Sequence, residues 1–335
     1  TKNANPDLDF NFPCFTTHPR SKNTYYDLTD SQISEYVNKF IEITKEVAAD
    51  FKPDIIHAQH LWITPFAASK TGIPYVITVH GTDLMGYKKD ERYHKFAREA
   101  AANAKKIITI SRQVHREATE IFAEFKKKFV LNSNGFDDKI FRTKTVDKKE
   151  LLQSFGIEKI PQKIVSFVGK FAHFKGVDIL IKAARIVSDK IPDVAFLLAG
   201  DGELRSELEK MKKDLELNNL YFLGHQNQET VASIYNIADI SVVPSRVEPF
   251  GLVAIEALAC GTPVVATNAG GLPDFINEKV GNLVEMDNPQ ALANAIIFEL
   301  ENNTKKTKGK FAAEYAKKNY SWNKTLEKVI EIYKS

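Results

Sequence analysis

Cysteine is scarce in this chain. Cys14 and Cys260 are the only 2 in 335 residues, too few and too far apart for a disulfide framework or a zinc knuckle. That sparing use fits a reducing cytoplasm, the expected location, with peripheral contact at the inner face of a membrane as the alternative. Long hydrophobic runs are missing as well. No apolar stretch approaches the ~18 residues that a membrane-spanning helix needs. Thr1 opens a polar stretch that lacks the charged and apolar regions of a signal peptide. An excess of one charge is also absent: Lys+Arg 46 against Asp+Glu 43 leaves +3, so no global positive field recruits nucleic acid. Glycine is lacking from one end, since all 16 lie at or after Gly72.

What is present is a chain with 43% apolar residues, which excludes disorder, and with the length of two ordinary domains. From Asp54 onward, short β-branched runs alternate with longer amphipathic ones. The strand-like runs are Asp54–Gln59, Tyr75–His80, Lys106–Ser111 and Phe129–Asn134, then Ile164–Gly169, Val194–Gly200, Leu220–Gly224, Ile240–Ser245 and Pro263–Thr267. Several are continuously apolar, as strands covered on both faces must be. Between them lie helical periods. Ile179, Leu180, Ala183, Ala184 and Val187 recur within 177–190, and Ile33, Val37, Phe40, Ile41 and Val47 do so earlier. Arg112–Lys128 reads as one packed helix with a basic end, and 305–310 as a solvated basic loop. Alternating strand and helix predicts an α/β protein with parallel sheets.

One segment carries the chemistry. After the run Ile240–Ser245 comes Glu248-Pro249-Phe250-Gly251-Leu252, with a helix expected from about Gly251. The free N–H groups of Phe250, Gly251 and Leu252 at that helix mouth suit an anionic phosphate, and Pro249 loses little by having none. Glu256 lies inside the otherwise apolar 252–259 run. A carboxylate there needs hydrogen-bond donors, and the hydroxyl pair of a ribose offers two. A second segment, Gly169-Lys170-Phe171-Ala172-His173-Phe174-Lys175-Gly176, sends two lysines from the end of the first strand of its half. In doubly wound sheets that edge holds the ligand, and two cations can neutralise a diphosphate without a metal.

Glu248 and Glu256, with seven residues between them and Val243-Pro244-Ser245 ahead, resemble the E-x7-E signature of retaining GT-B glycosyltransferases of family 4, the group 1 enzymes. So do Gly169…Lys175-Gly176, Gly200-Asp201-Gly202, His80-Gly81-Thr82-Asp83, Asn134-Gly135-Phe136-Asp137, and Gly261–Thr267 with Gly270-Gly271. The resemblance implies two Rossmann-like domains whose parallel sheets face each other across a cleft. Residues 1–145 are the expected acceptor-side domain, 146–162 a linker, 163–320 the nucleotide-sugar domain, and 321–335 a helix packing back on the first domain.

The activity implied is transfer of a sugar, with retention, from a UDP- or GDP-linked donor to a hydroxyl acceptor, with neither metal nor cofactor. By the same resemblance Glu256 binds the donor ribose, Glu248 the donor sugar, and Lys175 with Lys170 the diphosphate. Phe250, Gly251, Leu252 and Gly169 line the donor site, Gln226 lies against the base, and His80 faces the transferred sugar and acceptor. The acceptor class is a carbohydrate, small molecule or lipid-linked compound. The alternatives are a non-catalytic nucleotide-sugar-binding or scaffold protein, and a sugar-nucleotide epimerase on the same fold.

Two features depart from the family pattern. Lys170 stands where the family commonly has Arg, a point charge in place of a bidentate fork. The glycine-free first 71 residues, with no strand expected before Asp54, imply that the opening β/α units are missing. Asp7-Leu8-Asp9 and His57-x2-His60 have the look of metal motifs. The first reads as chance, since it lies beside Pro6 and Pro13 with no buried strand ahead of it, and the second as sheet-edge or cleft residues, because no third ligand cluster joins it.

Overall fold

The computed structural model describes residues 8–15, 21 and 23–335. The chain divides into two compact units, residues Thr1–Asn132 with Val329–Ser335, and residues Ser133–Lys328.

In the first unit, two-residue strands β1 (Pro13–Cys14) and β2 (Asn23–Thr24) pair in parallel, ahead of the point where the sequence shows any strand. Helix α1 (Asp30–Phe51) starts at a capping box. The Thr29 hydroxyl accepts from the Gln32 N–H, and the Gln32 side chain accepts from the Thr29 N–H. Its buried face is Ile33, Tyr36, Val37 and Ala48, whereas Val47 turns out to be exposed. Then follow β3 (Ile56–Gln59), α2 (Thr64–Ser69), β4 (Tyr75–Val79), α3 (Thr82–Lys89), α4 (His94–Asn103), β5 (Lys106–Thr109), α5 (Arg112–Ile121) and β6 (Phe129–Leu131). The strands form one parallel sheet in the order β3-β4-β5-β6. The helix expected over Arg112–Lys128 stops at Ile121. Phe122 leaves helical geometry to bury its ring, and Ala123–Lys128 continue as a 3-10 turn.

The second unit runs through α6 (Lys148–Ser154), β7 (Lys163–Val168), α7 (Val177–Lys190), β8 (Val194–Ala199), α8 (Arg205–Asp214), β9 (Leu220–Gly224), α9 (Gln228–Ile237), β10 (Ile240–Val243), α10 (Leu252–Ala259), β11 (Val264–Thr267), β12 (Gly281–Val284), α11 (Pro289–Glu301), α12 (Thr304–Tyr320) and the start of α13 (Trp322–Lys334), whose residues from Val329 on belong to the first unit. Its six strands are all parallel, in the order β12-β11-β10-β7-β8-β9. Both faces are covered. Phe196 and Leu198 of β8 join one apolar cluster with α7 and α11, and the alternate residues Leu197 and Ala199 join another with α6 and α9. The expected linker thus carries α6, and its Leu152 and Ile157 belong to that second cluster.

The basic stretch 305–310 is not a loop but the opening of α12. Lys305 donates from its ammonium to the carbonyl oxygens of Tyr235, Asn236 and Ala238, a cation at the carboxyl end of α9. Lys308 pairs with the fully buried Glu299 at 2.6 Å. Among the described residues no helix is long and apolar enough to cross a membrane.

Candidate functional site

The strand order of the second unit reverses between β7 and β10. From β7 the chain steps outward to β8 and β9, then returns to β7's other side for β10, β11 and β12. The carboxyl ends of β7 and β10 therefore flank the crevice where doubly wound sheets take their ligands. The two segments that stand out in the sequence leave from those two ends.

Lys175 and Glu248 meet there. The Lys175 ammonium lies 2.7 Å from Glu248 Oε2, which also accepts from the Ser245 hydroxyl at 3.1 Å. Glu248 is only 6% exposed. Two glycines make the approach possible. Gly176, at φ +65°, lies so near that a Cβ would collide with the Pro244 carbonyl, and a Cβ on Gly270 would collide with the Glu248 carbonyl. The Gly271 N–H donates to that same Glu248 oxygen at 2.9 Å. Beyond Glu248 the ring of Phe250 is buried against Phe275 and Tyr320, and Gly251 at φ +102° opens α10. Among the described residues none accepts a hydrogen bond from the N–H groups of Phe250, Gly251 or Leu252.

Glu256 lies within α10 at 8% exposure, and among the described residues no donor reaches its carboxylate. Burial pushes its carboxyl up to about 8. Among the described residues the buried Tyr235 hydroxyl has no hydrogen-bond partner, and the Cys260 thiol is pushed up to about 12 by burial.

Other expected site residues have work within the fold. Lys170 pairs with Glu203 at 3.2 Å. The Gly169 N–H is committed to Ala199 O at 3.0 Å, and a Cβ on Gly200 would strike the Gly169 carbonyl. Gln226 donates its amide to Leu223 O at 2.6 Å, in the turn after β9. Sequence reasoning missed Arg246. Its side chain ties the Lys175 loop to its neighbours through the His173 carbonyl at 2.6 Å and both oxygens of Asp178 at 2.8 Å. The signal available was an arginine beside Ser245 and an aspartate two residues after Gly176.

In the first unit His80 follows β4, and its Nε2 is 2.8 Å from the Gln59 side-chain oxygen. Burial, with His60 and His57 nearby, pushes its imidazole down to about 4, so it is neutral at physiological pH. The fully buried Asp83 accepts the His80 backbone N–H at 3.1 Å, and burial pushes its carboxyl up to about 6. The His57-x2-His60 pair does not converge. His57 lies between the hydroxyls of Tyr333 and Thr78, at 2.6 and 2.7 Å, while the His60 ring lies tilted against that of His80, with centroids 5.0 Å apart. Among the described residues no group of three or more His, Cys, Asp or Glu side chains is placed to hold a metal. Asp7 of the Asp7-Leu8-Asp9 motif lies outside the described residues.

Comparison with known proteins bears on the family and the fold. Residues 147–322 match the family described as glycosyl transferases group 1, and residues 27–139 match glycosyltransferase family 4. An uncharacterized glycosyltransferase of Methanocaldococcus jannaschii is 32% identical over 308 residues, 90% of this chain and 80% of its own. The sucrose-phosphate synthase of Thermosynechococcus elongatus superposes with a TM-score of 0.76 at 26% identity, over 98% of this chain and 85% of that one. HepE of Anabaena, solved in complex with UDP-glucose, has a TM-score of 0.75 at 25% identity, over 91% and 83%.

Proposed function

The chain belongs to the group 1 glycosyltransferases of the GT-B fold, and on that premise we propose that it transfers a sugar with retention from a UDP- or GDP-linked donor to a hydroxyl acceptor, without a metal ion. The observation that carries this reading is the Lys175–Glu248 pair at the reversal of strand order, beside the unengaged N–H groups that open α10. A cation and free backbone donors at one strand edge suit a diphosphate, and a buried carboxylate next to them suits sugar hydroxyls. Glu256, lacking donors of its own, suits the ribose diol. The UDP-glucose in the Anabaena structure supports a UDP-linked donor.

In the proposed reaction the bond between the anomeric carbon and the diphosphate oxygen breaks. A bond to the acceptor oxygen forms on the same face, and the acceptor proton passes to the departing diphosphate oxygen. No side chain need become covalently attached. Catalysis is then orientation of the partners plus stabilisation of the leaving charge by Lys175, Lys170 and the N–H groups of Phe250–Leu252. His80 is the proposed contact for the transferred sugar.

Calorimetry with UDP and GDP, with and without a chelator, tests the donor assignment. One of the two nucleotides is expected to bind equally well in both conditions. Failure of every nucleoside diphosphate to bind the intact chain would sink the reading. Lys175→Ala is expected to lower turnover by about 10²–10³-fold. His80→Ala is expected to lower transfer while leaving nucleotide affinity unchanged. Product analysis by NMR reads the anomeric configuration, and an altered sugar released with free nucleotide would mark an epimerase instead.

A further inference from the structure

Lys175 stands on a short loop, and a flexible lysine on a loop is a poor anchor for a phosphate unless something fixes the loop. The 3-10 turn His173–Lys175 supplies little of that rigidity on its own. The fixing comes from across the crevice. The backbone N–H of Arg246 donates to the Phe174 carbonyl at 2.8 Å, which stitches the segment after β10 to the segment after β7. The Arg246 side chain then uses four of its five N–H donors on three different segments. Nη1 donates to the His173 carbonyl at 2.6 Å and to Asp178 Oδ1 at 2.8 Å, and Nη2 donates to Asp178 Oδ2 at 2.8 Å. Nε donates to Asp287 at 2.5 Å, in the turn that follows β12. The guanidinium is 16% exposed and Asp178 17% exposed, so this fork is shielded from competing water.

The geometry points to Arg246 as a positioning residue for the donor diphosphate: its fork on Asp178 and His173 holds the Lys175 loop at the place where the Lys175 ammonium meets Glu248 and the incoming phosphates. This rests on the donor-site reading above and names a residue that reading does not use. Arg246 is two positions from Glu248 and one from Ser245, so a single short segment carries the acid, the hydroxyl that orients it and the clamp for its cation. Asp178, in the first turn of α7, serves as the anchor. Burial alone raises its carboxyl, yet the Arg246 guanidinium outweighs that and holds it below the usual carboxylate range. Lysine cannot replace the fork, because a single ammonium cannot meet two carboxylate oxygens and a carbonyl in one plane.

The experiment measures UDP and GDP affinity by calorimetry, and melting temperature, for the wild type, Arg246→Lys, Lys175→Ala and the double variant. Arg246→Lys is expected to weaken the nucleotide about tenfold, the loss of one charge-assisted pair. In the Lys175→Ala background the same change is expected to cost nothing further, because Arg246 acts through the lysine. Losses that add in the double variant would mean direct contact with the nucleotide or a general loss of structure, and would overturn the inference. Should the arginine variants fail to fold, Asp178→Asn replaces them: a drop in affinity that vanishes beside Lys175→Ala supports the role, and an additive one overturns it. If Lys175→Ala itself leaves affinity unchanged, the donor-site reading fails and takes the inference with it. If Lys175→Ala weakens binding and Arg246→Lys does not, the inference fails alone.

Discussion

Glu256 is the residue whose physics is most exposed to test. A carboxyl pushed up to about 8 by burial binds its proton more tightly in the folded chain than in the unfolded one. Its contribution to stability is therefore full below about pH 4.5 and is lost as pH rises through about 8. The loss at the alkaline end is on the order of 3–5 kcal/mol. Glu256→Gln removes the titration, so its melting temperature is expected to gain on the wild type from pH 5 to about pH 8 and to level off above it. Equal curves for the two proteins across that range would show that the carboxyl is not shifted. Glu256 was legible in the sequence because a charge inside an apolar helix is costly, and Glu248 and Lys175 because they fall in the same half and complete the motif with it. Arg246 was not, because an arginine next to a loop reads as solvated surface until its partners from three segments are assembled around it.

At the scale of elements, the strands were legible because buried parallel strands must be continuously apolar, as Val194–Ala199 is along its whole length. β12 was not, since Gly281-Asn282-Leu283-Val284 has two apolar residues and becomes a strand only through its register with β11. The start of α12 was hidden for a related reason. Its lysines look like solvated surface, and the groups that neutralise them, the end of α9 and Glu299, are remote in sequence or unmarked. Turns separate in the same way. Gly156 and Gly176 both have positive φ, +74° and +65°, but a Cβ on Gly156 meets nothing whereas one on Gly176 meets the Pro244 backbone. Gly156→Ala is expected to cost about 1–2 kcal/mol, the strain of the left-handed conformation alone. Gly176→Ala adds a backbone collision and is expected to exceed that by at least about 1–3 kcal/mol in urea denaturation. It also displaces the Lys175 loop. Similar losses at the two positions would contradict the close approach.

For the whole molecule the division into two units sets what a ligand can stabilise. The proposed nucleotide contacts lie in Ser133–Lys328. A nucleoside diphosphate at about 100 times its dissociation constant is expected to add roughly 2.7 kcal/mol to that unit. Hydrogen exchange is expected to slow most at residues 173–176 and 245–252; protection confined to the first unit would place the nucleotide elsewhere. The first unit is not continuous in sequence. Val329–Ser335 return to it, with Ile332 against Val76 and Ile108, the Tyr333 hydroxyl on His57 at 2.6 Å, and the Tyr333 carbonyl accepting from Lys105 at 3.1 Å. On the ribosome this reverses the usual order of maturation. The parallel sheet β3–β6 emerges first, yet Val76 and Ile108 wait for their cover until every residue of the other unit has been translated. The second unit has its own complete sheet and two apolar clusters, so it can fold while the first is still open. Of the two units, the one whose sheet is translated earlier is the one completed later.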